Sequence, residues 1–265
     1  MILIAIILGT LTAGIGSVWI AAALSFGILA KYTQHMLSLA AGALLATAFM
    51  HLLPEAFESQ ASAHDLFATL LAGLVFFFLL DKAELWHHGH EHGGGHEHGI
   101  AHDHAHSHDH GHNVKSGGWA VLAGDSVHCF GDGILIASAF MADMRLGIVA
   151  SLAVLAHEVP HHMGDLVVLR QSSNNNQRAA IVKVSMAGAV TALGGVLGYA
   201  LVEQLYGYLP FFLILASSSF VYVALADLIP QLQKRAALSE TAAQIAWLLA
   251  GIGLVTLISG VAHSH

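Results

Sequence analysis

The sequence predicts an all-α protein that crosses a membrane eight times, and three observations lead to this fold class. Hydrophobic residues make up 56% of the 265 residues and charged residues only 10%, whereas a soluble domain usually has about 25% charged residues. Eight segments are long and apolar enough to cross a bilayer, which takes roughly 20 residues. The basic residues fall almost entirely on alternate connections between these segments. We therefore expect a single transmembrane domain over residues 1–265.

The predicted spans follow one another through short connections except in one place. They cover residues 2–29, 36–58, 64–86, 117–141, 145–170, 179–203, 208–231 and 241–262. A histidine-rich segment separates the third span from the fourth, and we expect residues 87–115 to form a disordered loop there.

The basic residues indicate how the spans are oriented. Eight of the nine Lys and Arg residues lie near connections 1–2, 3–4, 5–6 and 7–8, and only Arg145 lies on the other side. Because basic residues accumulate on the cytoplasmic side, we expect the histidine-rich loop to face the cytoplasm and both termini to lie outside. The expected location is the cell membrane, which is the inner membrane if the protein is bacterial. A net charge of −8 argues against a nucleic-acid partner.

Two spans carry similar motifs around a proline. Residues 51–55 read HLLPE in the second span and residues 227–231 read DLIPQ in the seventh, which runs in the opposite direction. Such pairs are typical of transporters built from inverted repeats with a binding site near the membrane midplane. We therefore predict an inverted repeat of helices 1–3 and 6–8 around a central pair, helices 4 and 5. Two unrelated proline kinks remain the alternative.

Histidine dominates the connection between the third and fourth spans. Residues 87–112 contain twelve histidines among Gly, Asp and Glu, with too few apolar residues to form a core. Histidine-rich tracts bind metal, and neutral imidazole suits zinc, copper, nickel and iron. The segment is interpreted either as a cytoplasmic metal buffer or as a solvated linker whose metal binding has no functional role.

Ionisable residues are concentrated in the fourth and fifth spans, where they must face one another or a water-filled cavity. They are Asp125, His128, Cys129 and Asp132 in the fourth span, and His157, Glu158, His161, His162 and Asp165 in the fifth. Such groups inside a bilayer mark ion pathways. His51, Glu55 and Asp227 in the second and seventh spans either line an entry or exit route or pack helices together.

Spacing predicts which of these side chains meet. His128 and Asp132 are four residues apart and share a helix face, as do His157 and His161. If the two faces oppose each other, three imidazoles and one carboxylate surround a tetrahedral metal site. His128 and His157 both lie near the middle of their spans, so this site is expected close to the centre of the bilayer.

A second metal position is predicted beside the first. Glu158 lies four residues before His162, so these two side chains share a face that can meet Cys129 of the fourth span. Asp132 and His161 are the residues that we expect to bridge the two positions.

The motifs of these two spans resemble those of the ZIP family of zinc- and iron-regulated transporter-like proteins, especially its LIV-1-like branch. The family pattern is His-Asn-x-x-Asp-Gly followed by His-Glu-x-Pro-His-Glu-x-Gly-Asp, and residues 128–133 and 157–165 correspond to it. Cys129 replaces the asparagine and His162 replaces the second glutamate. These softer ligands are expected to favour zinc or cadmium.

The resemblance implies uptake of zinc into the cytoplasm, with Fe²⁺, Mn²⁺ or Cd²⁺ as further substrates, by a helical homodimer. It assigns the primary metal site to His128, Asp132, His157 and His161. It assigns the secondary site to Cys129, Glu158, Asp132 and His161. The expected partners are therefore divalent metal ions and the lipid bilayer.

Two other functions fit parts of the sequence. His157, Glu158 and His161 match H-E-x-x-H, the zinc metalloprotease signature in which the glutamate is the general base, and would make the protein an intramembrane protease. Pro160, between the two histidines, argues against this, because a protease needs a regular helix there. A cation efflux carrier also combines His and Asp four residues apart with a histidine-rich loop, but it normally has six spans. We therefore expect a transporter and not an enzyme.

Overall fold

A computed structural model describes residues 1–25, 33–89, 114–173, 175–232 and 238–263, which form eight long helical segments. The segments are α1 (Ile2–Ser25), α2 (33–57), α3 (Ala63–Gly89), α4 (Val114–Ala142), α5 (Met144–Ser172), α6 (Gln177–Gln204), α7 (209–232) and α8 (Leu238–His263). A short 3₁₀ turn, Tyr206–Tyr208, precedes α7. The described part of the chain contains no strand.

The helix bounds agree with the eight predicted spans to within a few residues, and the polytopic all-helical fold is confirmed. Within the described residues, six helices are long and apolar enough to cross a membrane on length and composition. The other two, α4 and α5, have 29 residues each, which is ample length. Their mean hydropathy is lower because they carry the ionisable residues noted above.

Two short parts of the segment predicted to be a disordered loop are helical. Helix α3 continues to Gly89 and α4 begins at Val114, so residues 87–89 and 114–115 are helical. An established helix gains one hydrogen bond for each added residue and therefore extends beyond its apolar part. The rest of the predicted loop, 90–113, lies outside the described residues, as does the end of the first predicted span, 26–29.

Local distortions support the predicted relation between α2 and α7. Each contains a π-helical turn, which accommodates one extra residue, at Ala48–Leu52 and at Val223–Leu228. In both helices the turn ends two residues before the proline, Pro54 or Pro230, whose missing N–H breaks the regular hydrogen-bond ladder. A third π turn, Thr12–Gly16, lies in α1.

The packing of the flanking helices α2, α3, α7 and α8 follows the same repeat. Helix α2 packs on α8, and α3 packs on α7. The inverted repeat predicts both contacts, because it relates α2 to α7 and α3 to α8. Gly42 of α2 lies against the backbone carbonyl of Leu248 in α8, and the Ser218 hydroxyl of α7 donates to the carbonyl of Leu70 in α3 at 3.2 Å. Ser218 follows Gly42 by the same interval that separates the two prolines, so the two contacts occupy equivalent positions.

A face of small residues on α6 brings the backbone of α4 into direct contact. Gly194 of α6 lies against the carbonyl of Phe130, and Gly133 of α4 lies against the carbonyl of Thr191. Neither position has room for a Cβ atom, as is usual where small residues let membrane helices approach closely. This contact fixes the position and rotation of α4.

Helix α5 is central, whereas α3 and α8 lie on the outside. Helix α5 contacts α1, α2, α4 and α6. In α3 and in α8, only 11% of the apolar 18-residue stretch that could span the membrane is buried, whereas 67% of the corresponding stretch of α2 is buried. The outward-facing side chains of α3 and α8 include Leu71, Phe76, Leu249 and Leu257. Exposed apolar surface of this extent is typical of a face that contacts lipid.

The contact between α2 and α8 gives a test of this packing. A Cβ atom at Gly251 in α8 would collide with the carbonyl of Leu39, whereas Gly253 on the same helix has no neighbour within 4 Å. Gly251→Ala is expected to lower the free energy of unfolding by about 1–3 kcal/mol, the usual cost of overpacking. Gly253→Ala should be neutral or slightly stabilising. Thermal unfolding in detergent measures both, and equal melting temperatures for the two variants would contradict the packing.

Candidate metal centre

Helices α4 and α5 are antiparallel neighbours that present their ionisable side chains to each other. Asp143 alone separates them, and its carboxylate caps α5 by accepting the amide N–H of Arg145 at 2.8 Å. Among the described residues, the ligand atoms between the helices fall into three groups, and all atoms within a group lie within 4.8 Å of one another. Buried charges in a bilayer are stable only if they are paired or bind an ion.

The first group joins two residues of α4, His128 and Asp132, to two of α5, His157 and Glu158. Nε2 of His128 lies 3.4 Å from Nε2 of His157 and 3.8 Å from Oδ2 of Asp132. Oε1 of Glu158 lies 3.2 Å from both imidazole nitrogens, and Oδ2 of Asp132 lies 3.3 Å from His157. A tetrahedral zinc shell with bonds of about 2.0–2.1 Å has edges of about 3.3–3.4 Å. The four atoms therefore have the spacing of ligands around one ion.

Hydrogen bonding does not account for this convergence. Oδ2 of Asp132 and Oε1 of Glu158 are buried and accept no well-formed hydrogen bond from the described part of the chain, although imidazole nitrogens lie nearby. A buried polar atom without a partner is destabilising by about 1–3 kcal/mol. A cation between the four atoms would satisfy both carboxylate oxygens and both imidazoles at once.

The second group consists of Asp125 and Cys129 from α4 and Glu158 and His162 from α5. Nε2 of His162 lies 3.0 Å from Oε2 of Glu158 and 3.5 Å from Oδ1 of Asp125. Sγ of Cys129 lies 3.6 Å from Asp125 and 4.0 Å from both Glu158 and His162. The distances to sulphur are longer, which suits the metal–sulphur bond of about 2.3 Å.

Glu158 belongs to both groups and contributes one oxygen to each. Its Oε1 faces the first group and its Oε2 faces the second. In two-metal sites the ions lie about 3.5–4 Å apart, a separation that one bridging carboxylate can span. This differs from the expectation that Asp132 and His161 bridge the two positions, because the carboxylate of Asp132 reaches only the first group.

Two of the imidazoles have a partner on Nδ1 that turns Nε2 toward the ligand groups. Nδ1 of His157 lies 3.4 Å from the carbonyl of Ala153, and a carbonyl can only accept, so Nδ1 carries the proton. Nδ1 of His162 lies 3.0 Å from the Ser17 hydroxyl, which itself donates to the carbonyl of Gly14 at 2.6 Å. Ser17 must therefore accept from Nδ1–H. Metal-binding histidines are usually oriented by such a partner on the other ring nitrogen.

His161 does not join the first group as the sequence predicted. Its Nε2 lies with Asp125 and Asp165 in a third group, and its side chain is 40% exposed. Residues four apart on a helix differ by about 40° in direction, which is enough to turn His161 away when His157 points at the first group. Its ring remains close to that of His128, with centroids 5.4 Å apart.

The remaining predicted residues lie outside these three groups. In α2, His51 is half-buried within the π turn and Glu55 is exposed. Asp227 lies in the π turn of α7, and its side chain is outside the described part of the chain. Ser17 was missed, because a serine within an apolar helix gives no indication in the sequence of a partner 145 residues away.

Comparison with known proteins identifies relatives over most of the chain. The family profile described as ZIP Zinc transporter matches residues 81–259. The zinc transporter ZIP13 of Pongo abelii is 28% identical over 87% of this chain and 68% of its own length, and ZIP13 of Homo sapiens is 26% identical over 85% and 70%. The zinc transporter ZIP10 of Danio rerio is 33% identical over 55% of this chain, which spans only 18% of that protein.

Ser17 gives a test of the orientation of His162. Ser17→Ala leaves the buried Nδ1–H of His162 without an acceptor, and loss of such an orienting partner typically weakens metal affinity about 10–100-fold. Ser17→Thr keeps the hydroxyl and should recover much of the affinity. Ser138→Ala is the control, because that buried hydroxyl donates to the carbonyl of Ile134 in its own helix. Zinc titration calorimetry measures the effect, and equal affinity of the Ser17→Ala and Ser138→Ala variants would refute it.

Proposed function

The chain belongs to the ZIP zinc transporter family, and we propose that it moves divalent transition-metal ions, zinc foremost, into the cytoplasm between α4 and α5. The observation that carries this proposal is the first ligand group. Its four ligand atoms come from His128, Asp132, His157 and Glu158, and five of the six distances between these atoms are 3.2–3.8 Å. They meet at the centre of a helical bundle that has an apolar exterior.

The chemistry of the donors suits this substrate. A hydrated divalent cation can enter the bundle only if protein ligands replace its water molecules, and imidazole with carboxylate is a preferred set for zinc. Glu158 touches both groups, so an ion can exchange the ligands of the first group for those of the second without losing all protein contact. Each ion that binds partly neutralises the buried carboxylates, which favours its entry.

The second group bears on metal preference. Its thiol from Cys129 and its imidazole from His162 are softer than the oxygen ligands that the family pattern has at these positions. Softer ligands favour zinc and cadmium over manganese. We therefore place Fe²⁺ and Mn²⁺ as weaker substrates than zinc, and Cd²⁺ as a close competitor.

The distribution of charge supports an orientation with both termini outside. Lys82 in α3, Arg170 in α5 and Arg178 in α6 lie toward one side of the bundle, whereas Arg145 at the start of α5 lies toward the other. Basic residues are retained on the cytoplasmic side, so a cell membrane with the histidine-rich segment inside is the proposed location. A homodimer, as the family resemblance implies, is the proposed assembly. Mass photometry in nanodiscs would show whether the particle has twice the chain mass.

The two alternative functions fit the geometry less well. A metalloprotease needs His157 and His161 on one ion with Glu158 free as a base, but the two histidines fall into different ligand groups, and Glu158 lies among the ligands. A six-span efflux carrier does not match eight helices. The relatives named above are zinc transporters by name.

His157→Ala is expected to reduce zinc uptake to the level of protein-free liposomes, because it removes one of four ligands from the first group. His64→Ala is the matched control, since that side chain is 90% exposed at the start of α3. The measurement is uptake of radiolabelled zinc into proteoliposomes, repeated with iron, manganese and cadmium as competitors. Normal flux in the His157→Ala variant at equal protein insertion would refute the proposed route.

The orientation is tested by labelling single introduced cysteines in intact cells. The native thiol, Cys129, is only 1% exposed and gives a low background. Ser62→Cys, between α2 and α3, is expected to react with a membrane-impermeant maleimide from outside. Gln177→Cys, at the start of α6, should react only after the membrane is permeabilised. The reverse pattern would place the termini inside and make the same route an export route.

A further inference from the structure

A third set of ligand atoms lies beside the two groups that the proposed function uses. Nε2 of His161 is 3.9 Å from Oδ1 of Asp125 and 3.7 Å from Oδ2 of Asp165. These separations are within about 0.5 Å of the edge of a tetrahedral zinc shell. Three ligands from the described residues meet here, so an ion would complete its shell with water, as in sites that exchange their ligands.

The three groups follow one another along α4 and α5. The first group uses residues 128 and 132 of α4 with 157 and 158 of α5. The second uses residues 125 and 129 with 158 and 162, and the third uses residue 125 with 161 and 165. With a rise of 1.5 Å per residue, both helices place the third group about 8 Å from the first. The second group lies about halfway, so successive positions are about 4 Å apart, close to the separation of ions in two-metal sites.

Shared carboxylates connect the successive positions. Glu158 serves the first and second groups, and Asp125 serves the second and third. Oδ1 of Asp125 is 3.5 Å from His162 in the second group and 3.9 Å from His161 in the third. An ion that moves from one position to the next therefore keeps at least one carboxylate throughout.

Each of the two carboxylates of the third group has one buried oxygen that no described residue hydrogen-bonds. These oxygens are Oδ2 of Asp125 and Oδ2 of Asp165. No Lys or Arg in the described part of the chain forms an ion pair with either carboxylate. Two buried carboxylates beside one imidazole are stable only with a cation or protons close by.

Exposure is greatest at the third group, since the His128 side chain in the first group is 28% exposed. The His162 side chain in the second group is fully buried, whereas the His161 side chain in the third is 40% exposed. The third group is also displaced along α4 toward Val114, the end that adjoins the histidine-rich segment.

We propose that Asp125, His161 and Asp165 form a third cation position, which holds a partly hydrated divalent transition-metal ion between the buried second group and the end of the bundle next to residues 90–113. This inference rests on the proposed transport function. It adds a release position whose shell is completed by water, so that the ion regains its hydration before it leaves the last protein ligand.

Anomalous scattering at the zinc edge, from crystals of the full chain grown with zinc, tests the position directly. We expect three peaks in a row between α4 and α5, about 4 Å apart, with the weakest at His161. Asp165→Asn, which is nearly isosteric, should remove that peak and leave the other two. Two peaks only, in crystals of the unaltered chain at saturating zinc, would overturn the third position.

Uptake into proteoliposomes separates this inference from the proposed function. Asp165→Asn is expected to slow zinc uptake about tenfold without abolishing it, because release must then occur directly from the second group. Asp65→Asn, an exposed carboxylate of α3, is the control and should leave the rate unchanged. Equal rates for the Asp165→Asn and Asp65→Asn variants would overturn the release position but leave the transport route intact. No zinc uptake by the unaltered chain would refute the proposed function itself.

Discussion

The cost of placing ionisable groups in a low-dielectric interior determines how this molecule is built. Asp125, Asp132, His157, Glu158 and His162 are all at most 3% exposed, and none of them could be tolerated against lipid. They are stable only because α4 and α5 face each other and leave the apolar surface to α3 and α8. The ligand groups and the helix arrangement therefore have one cause.

The helices around α4 and α5 are held together by small residues, which allow close approach, and by contacts that the inverted repeat places at equivalent positions. Close backbone approach between α4 and α6 sets the rotation of α4, and with it the direction in which His128 and Asp132 point. Helix α1 contributes through its π turn, which brings Ser17 to His162. The outer helices repeat one another in inverted order, so the central pair is supported from both sides by the same kind of interface.

Most of the fold could be predicted from the sequence because span length and apolar character are local properties. Segments of about 20 apolar residues cross a bilayer, and the helices begin and end near the predicted residues.

The site was only partly predictable. A spacing of four residues pairs His128 with Asp132 and Glu158 with His162, since such pairs share a helix face, and the nearest charged atoms of these pairs lie 3.8 and 3.0 Å apart. It could not fix the rotation of one helix against its neighbour, which places Glu158 rather than Asp132 between the groups and moves His161 elsewhere. The contact of Ser17 depends on long-range packing that leaves no local pattern.

The π turns in α2 and α7 have a mechanical consequence. Each is a helix segment with one residue more than a regular turn needs, and such an insertion can migrate along a helix by exchanging hydrogen bonds one at a time. Every step of that migration rotates the residues it passes by about 100° while nearly all backbone groups stay paired. Helices α2 and α7, which run in opposite directions, therefore contain a point of rotation just before their prolines. The segments that carry His51 and Asp227 can turn about their own axes while they stay packed in the bundle.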